Sequence, residues 1–421
     1  MPPIIRCAVS YASQLLDDAP GAVVIAVSIL TLFIGAEAVK RVTGVPTEWT
    51  RKATHLGSGV VVLSLPWMLD HTVSVVVQVF AFAALLIAGR LSGLLSSIHD
   101  VERSTGGAYF YPFAVLLCWL LADGDPLQYT LPLAIMATAD TGAALVGQRH
   151  GQTTYAVLDG SRSVEGSLAF FSLAFALTLG GCAIAGRPGW PDQLLVALVV
   201  ATLTTAVEAI SVRGSDNLLI PYFAWLALDQ TLRLGLDQLG DWVGSMAIGL
   251  AVVFATSWRG SLTTAGGVGV FLVITLAGAL GGLSWLGPPL TLWALALAGA
   301  PTATRAELDG VFPTTVVSIG VLLAYAHTND PSWYAVYAAT VAGATAITGA
   351  LIAGGSAVQR VGVGVAATAV CSLLLPAPAA LVWSAAVIAL GCFLTVERTG
   401  LQGRRILATS LSALWAWVLW A

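Results

Sequence analysis

The stretch "PLQYTLPLAIMATADTGAALVGQRHG" (126–151) decides the fold. From residue 126 to residue 147 its one charged residue is Asp140, in a run of Leu, Ala, Thr and Gly. A helix crosses a hydrocarbon core of ~30 Å with about 20 such residues, so the run predicts a membrane span. An ionised carboxylate inside a span costs about 2.5–3.5 kcal/mol on insertion scales. Asp140 is therefore expected to be paired or to line a polar site.

The rest of the chain agrees with that reading. It has 421 residues, 57% hydrophobic and 10% charged, and a mean hydropathy of +0.87, whereas a soluble domain carries about 25% charged residues. Further apolar runs lie at 20–39, 72–89, 164–186, 191–210, 241–257, 332–353 and 406–421. Shorter ones at 57–69 and 109–122 suit thin crossings or half-helices lining a cavity. The expected fold is an all-α, polytopic integral membrane protein of about fifteen or sixteen transmembrane or half-membrane helices.

Composition also excludes several classes. The N-terminus has Asp17 and Asp18 before its first long apolar run and no small-residue cleavage site, which argues against a secretory signal. A net charge of −4, with basic residues never more than two in a row, gives no nucleic-acid partner. The five cysteines are scattered without C-x-x-C spacing, which disfavours a disulfide framework or a zinc site. Within residues 1–216, Lys40, Arg41, Arg51, Lys52, Arg90, Arg103, Arg149, Arg162 and Arg213 fall in loops 40–56, 90–108, 148–163 and 211–216, which share one face if each short run is a crossing. Arg6 and Arg187 fall opposite, so the first face is expected to be cytoplasmic. The cell membrane of a prokaryote is the expected location.

Four polar clusters meet on that face. In "TEWTRKATHLGSG" (47–59), Arg51 and His55 share a helical face, Lys52 lies between them, and Gly57 and Gly59 follow. A juxtamembrane anchor and a phosphate approach both suit it. In "HDVERSTGGAYFYP" (99–112), Glu102 and Arg103 precede an aromatic run that also reads as interfacial anchors. The third cluster joins Asp140 to Gly147, Gly151, Tyr155, Ser161, Arg162, Ser163, Glu165, Gly166 and Ser167 at the next helix start. Backbone N–H groups there, with Arg162 and the hydroxyls, would receive a polyphosphate. In "AVEAISVRGSDNLLIP" (206–221), Glu208 ends one crossing while Asp216 and Asn217 begin the next, as ordinary N-caps or as ligands for Mg²⁺ shared with substrate phosphates. Acids for a metal, cations for phosphate and surrounding lipid make up the inventory for phosphoryl or nucleotidyl transfer to a membrane-dissolved acceptor.

"RKATHLGSG", "ADTGAALVGQRHG", "SRSVEGSLAFF" and "VEAISVRGSDNLLIP", in that order, resemble the CTP-dependent lipid kinases, the family of phytol kinase, dolichol kinase and CTP-dependent diacylglycerol kinase. The resemblance covers about residues 30–235. It implies transfer of the γ-phosphate of CTP to an isoprenoid alcohol with Mg²⁺ or Mn²⁺. Carried onto this sequence, Asp140, Glu208, Asp216 and Asn217 would form the metal group. Arg51, Lys52, Gly147, Gly151, Ser161, Arg162, Ser163, Glu165, Gly166 and Ser167 would serve the nucleotide phosphates. Asp140, Asp216 and His55 are the candidates for the group that takes the acceptor proton. Where the family often has Lys before the phosphate-loop Ser, this chain has Arg162. The implied partners are a lipid alcohol, a nucleotide and the bilayer, with the oligomeric state open.

The expected division is a kinase-like domain over 1–236 and a second membrane domain over 237–421. "MATADTGAALVG" (136–147) aligns with "AATVAGATAITG" (338–349), which suggests a same-direction internal repeat with Ala342 opposite Asp140. The second half weakly resembles the membrane family of the phytyl-phosphate kinase, whose acids would fall near Gly343 and Thr348, so it is expected to be non-catalytic. Three other functions fit the sequence less well: a CTP-dependent diacylglycerol kinase, a phosphatidate cytidylyltransferase-like enzyme, and a secondary transporter. A transporter would place its polar groups near the midplane of both repeats.

Overall fold

The computed structural model of the chain describes residues 3–92, 107–157, 160–212, 214–258, 264–290, 311–353, 409–411 and 413–414. Glu102, Arg103, Arg213, Glu307, Asp309 and Glu397, and most of the 406–421 run, lie outside the described residues. Contacts divide the chain into two compact units, Met1–Gly235 and Leu236–Ala421.

The first unit contains α1 (Pro3–Asp17), α2 (Ala19–Thr43), α3 (Thr47–Leu63), α4 (Thr72–Ser92) and α5 (Gly107–Ala122). One long helix follows, made of α6 (Pro126–Ala134), a π-helical turn (Ile135–Ala139) and α7 (Asp140–His150). A β-hairpin, β1 (Thr154–Val157) and β2 (Gly160–Ser163), leads into α8 (Val164–Ala185), α9 (Asp192–Ile210) and α10 (Asp216–Thr231). The second unit has α11 (Leu236–Trp258), α12 (Thr264–Gly281), α13 (Val311–Thr328) and α14 (Trp333–Ala353). Among the described residues six helices are long and apolar enough to cross a membrane: α2, α4, the α6–α7 helix, α8, α9 and α11. The protein is an all-α polytopic membrane protein.

Local chemistry starts and stops these helices. Asp125 caps α6, its carboxylate accepting from the N–H groups of Leu127 (3.0 Å) and Gln128 (3.4 Å), with Pro126 in the first turn. Gly44 and Gly186, both in the left-handed region, end α2 and α8. The α6–α7 helix lies at the centre of unit 1, packed against α3, α5, α8 and α10. Its buried polar groups find partners across helices: Trp225 Nε1 donates to Gln128 Oε1 at 3.1 Å and Tyr129 Oη to the Val62 carbonyl at 2.9 Å.

The start of α3 corrects the sequence reading. The crossing expected at 57–69 begins ten residues earlier, at Thr47, so Arg51, Lys52 and His55 sit inside a helix and not in a loop before one. Gly57 and Gly59 serve packing there. A Cβ on Gly57 would lie 2.8 Å from Leu32 Cδ1, and one on Gly59 would lie 2.6 Å from the Ala137 Cβ. Small residues let membrane helices approach closely. The Gly59 contact brings α3 onto the π turn just before Asp140.

The described helices α2 to α10 alternate in direction, counting α6–α7 as one. At one end, the Asp18 carboxylate accepts from the N–H groups of Asp70 and His71, both at 3.0 Å, and Asp125 pairs with Arg187. The polar clusters gather at the other end. Asp18 is 3% exposed, so Asp18→Ala removes the acceptor of two part-buried backbone donors. It is expected to lower stability by about 1–3 kcal/mol, seen as a lower thermal midpoint in detergent, with Asp18→Asn losing less because it keeps an acceptor.

In the second unit the 330–331 step repeats the Asp-Pro start of α6, with Asp330 accepting from the Ser332 N–H at 2.9 Å just before α14. Ala342, aligned with Asp140, is fully buried in α14. Trp285 packs against Tyr325, Tyr334 and Tyr337 at ring distances of 4.6, 4.9 and 5.2 Å.

Candidate active site

The π turn delivers Asp140 to the first turn of α7. Its Oδ2 receives Lys52 Nζ from α3 at 2.8 Å, with side chains 16% and 12% exposed. Neither charge has much water, so each depends on the other. Breaking such a pair on one side costs about 3–5 kcal/mol. Arg51 and His55 also lie within electrostatic reach of Asp140.

His55 stands one turn after Lys52. It hydrogen-bonds the backbone of Met136, within the π turn. π turns leave carbonyls without their usual i+4 partner and are common at functional sites. Its Nε2 is buried with no hydrogen-bond partner. The ring meets Tyr111 edge-on at 5.4 Å. The Tyr111 hydroxyl is likewise buried, without a well-formed hydrogen bond. The Ser58 hydroxyl beside it donates to the His55 carbonyl at 3.1 Å and keeps lone pairs that can accept from Tyr111.

Where the sequence reading had a loop, the structure has a hairpin. Thr154 pairs with Ser163 and Tyr155 with Arg162. Arg162 pairs with Glu208 at the end of α9, and its Nη2 also approaches the Ser211 carbonyl at 3.4 Å. Glu208 is 4% exposed, and its Oε2 has no partner. Ser163 caps α8, accepting from the Gly166 N–H at 3.1 Å. Tyr155 and Ser167 share a hydrogen bond of 2.6 Å.

The glycines around this turn make room for Ser163. A Cβ on Gly147 or Gly166 would lie 2.9 Å from its Oγ, and one on Gly151 would lie 2.8 Å from its Cβ. The helix-start N–H groups expected to meet phosphate are partly used within the chain: Val164 donates to the Thr153 carbonyl and Gly166 to Ser163. Glu165 turns back to the Thr153 N–H, at 3.1 Å.

Between these elements opens a cleft of about 310 Å³, walled by Asp140 and Gly147 from α7, Ser161, Arg162 and Ser163 from β2, and Glu208 from α9, with Gly151, Gly166 and Ser167 at its edge. Arg51, Lys52, His55, Glu165, Asp216 and Asn217 do not line it. Asp216, at the start of α10, nevertheless feels the charges of Asp140, Arg162 and Lys52. Asn217 fastens α10 to α5, donating to the Gly107 carbonyl at 2.9 Å. The sequence reading passed over Tyr111, taken with its neighbours for an interfacial anchor, and Ser58. Their signal was a polar pair entering apolar runs.

Among the described residues no three His, Cys, Asp or Glu side chains form a closed cation cage. The arrangement fits a hard divalent cation of the other kind, one held by one or two carboxylates and by substrate phosphates. Asp140 and Asp216 sit within reach of each other's charge, and Lys52 engages one oxygen of Asp140.

No family model and no solved structure matches the chain. A phytol kinase of Synechocystis sp. is 32% identical over 206 residues, a match that takes in 87% of that protein and 47% of this chain. A likeness running through nearly the whole of that enzyme, on a helical membrane scaffold, means that the chain belongs to the phytol kinase family.

Proposed function

We propose that the first unit phosphorylates an isoprenoid alcohol of the phytol, geranylgeraniol or polyprenol type, with CTP as donor, at the cytoplasmic face of a prokaryotic cell membrane. The observation that carries this reading is the placement of Asp140. It lines a polar cleft that also holds Arg162 and serine hydroxyls, and Lys52 and His55 of α3 lie within reach of its charge. The likeness to a phytol kinase supports the choice of acceptor.

The alcohol oxygen attacks the γ-phosphorus of the nucleotide and forms a new P–O bond. The bond from that phosphorus to the β,γ-bridging oxygen breaks, and the nucleoside diphosphate leaves with the electron pair. The hydroxyl proton passes to His55 Nε2 or to a carboxylate of Asp140 or Asp216. The transition state is loose and asks little of a base, so positioning and charge carry most of the rate. Arg162, Ser161 and Ser167 hold phosphate oxygens, while Arg51 and Lys52 add positive potential from α3. A Mg²⁺ or Mn²⁺ held by Asp140 and Asp216, with Glu208 and Asn217 beside them, would neutralise phosphate charge. The second unit, with Ala342 where the first has Asp140, has no part in the transfer.

Purified protein given Mg²⁺, γ-labelled CTP and geranylgeraniol is expected to yield labelled lipid monophosphate and CDP, with a lower rate from ATP. Pyrophosphate release with a nucleotide-linked lipid would replace the kinase reading by a cytidylyltransferase. No transfer to any isoprenoid alcohol would overturn it.

A further inference from the structure

On the far side of His55 from the cleft, unit 1 contains a second cavity, narrow and almost wholly apolar, of about 60 Å³. It lies between α2, α3, α4 and α5, walled by side chains such as Ile29, Val62, Val79 and Val115. Its wall on α4 runs from Val75 to Leu86, about 16 Å along the helix at ~1.5 Å per residue. It is a slot parallel to the helices.

Two features set this slot apart from a packing defect. Ser58 and Tyr111 belong to its lining, and the buried Tyr111 hydroxyl makes no well-formed hydrogen bond, with Ser58 as its neighbouring acceptor and the His55 ring 5.4 Å from its own. A phenylalanine would fill the same space without stranding a polar group, so a polar ligand atom would satisfy what the protein leaves open. The second feature is the outer wall. α2 has 11% of its apolar stretch inside the protein, against 22–56% for the other five spans. α2 is thus the least enclosed of the six spans, and the slot's wall on that side separates it from the outer surface of the unit by a single helix.

We infer that the slot is the acceptor subsite. The hydroxyl end of the alcohol enters between α2 and α4, its hydroxyl accepting a hydrogen bond from Tyr111; a cavity of about 150 Å³ holds one benzene, so at about 60 Å³ the slot takes the first isoprene unit only as the side chains around it yield. The inference rests on the kinase reading for the identity of its occupant. It adds the place from which the acceptor approaches: alcohol from the apolar side of His55 and Asp140, nucleotide from the polar side. The slot holds the head of the chain, and the remainder runs along α2 in the lipid.

Full-length protein in lipid nanodiscs is irradiated with geranylgeraniol carrying a diazirine in its second isoprene unit, and the labelled peptides are sequenced. Label is expected within residues 25–33 and 75–86, displaced by unlabelled phytol. Label confined to other helices would overturn the subsite. In parallel, Val79→Phe is expected to raise the KM for the alcohol by about tenfold with an unchanged KM for the nucleotide. A folded Val79→Phe protein with an unaltered alcohol KM counts against the subsite, and if that variant does not fold the wild-type labelling decides. Label in the slot of a protein that transfers no phosphate would keep the lipid site and remove the kinase reading. Transfer with label elsewhere would do the reverse.

Discussion

Asp140→Asn is expected to yield a folded protein whose phosphoryl transfer is slowed by about 10³-fold, the scale seen when a positioned charge or proton acceptor is removed from an active site. Asn keeps the volume and can still accept a hydrogen bond from Lys52, so α3 and α7 stay joined. The substitution does leave the Lys52 ammonium without its counter-charge at 12% exposure, and some stability is lost with it. Adding Lys52→Met separates the two effects. The double variant should regain its thermal midpoint, because no unpaired charge remains, while its rate stays low. An Asp140→Asn enzyme within about tenfold of the wild-type rate would remove this carboxylate from the chemistry.

Arg162→Ala should show the second largest effect, and in two separable parts. Glu208 loses its partner at 4% exposure, which is expected to destabilise the protein by about 3–5 kcal/mol. Phosphate binding loses a charge-assisted donor worth about 1.5–3 kcal/mol, so the KM for the nucleotide should rise by about 10- to 100-fold. Arg162→Ala with Glu208→Ala is expected to recover most of the thermal midpoint and none of the nucleotide affinity. Arg162→Lys should fall between, since an ammonium keeps the charge and loses the planar fork that serves Glu208 and the Ser211 carbonyl together. Recovery of both properties in the double variant would show that Arg162 serves only to neutralise Glu208.

How much could be read in advance varied with the reach of each signal. Asp140 was legible because a lone carboxylate in an apolar run is expensive wherever the chain folds. Its partner was not, since Lys52 lies 88 residues away and no local pattern links them. The start of α3 was misjudged because Arg51, Lys52 and His55 interrupt the hydropathy that marks a span, although they sit on a helix whose polar side meets the site. The hairpin is not legible in the sequence because its strands are only four residues long, and β2, Gly-Ser-Arg-Ser, has no apolar side chain to alternate with. Gly147, Gly151 and Gly166, grouped by the sequence as neighbours of phosphate, come together around Ser163. Their role as space for Ser163 depends on distances across helices, which a linear pattern does not encode.

The π turn at 135–139 has a consequence for how the acid is aimed. Each α-helical residue advances the azimuth by about 100°, and a π turn takes in roughly one residue more than an α turn. Wound regularly, the same segment would carry the carboxylate about 100° around the helix axis, away from Lys52. Facing is therefore a matter of phase, set by a single surplus residue and not by the amino acid at 140 alone. α14 is regular throughout Trp333–Ala353 and has alanine at the aligned place, so it lacks both the acid and the offset that would point one. Restoring an aspartate there would return the charge without its bearing.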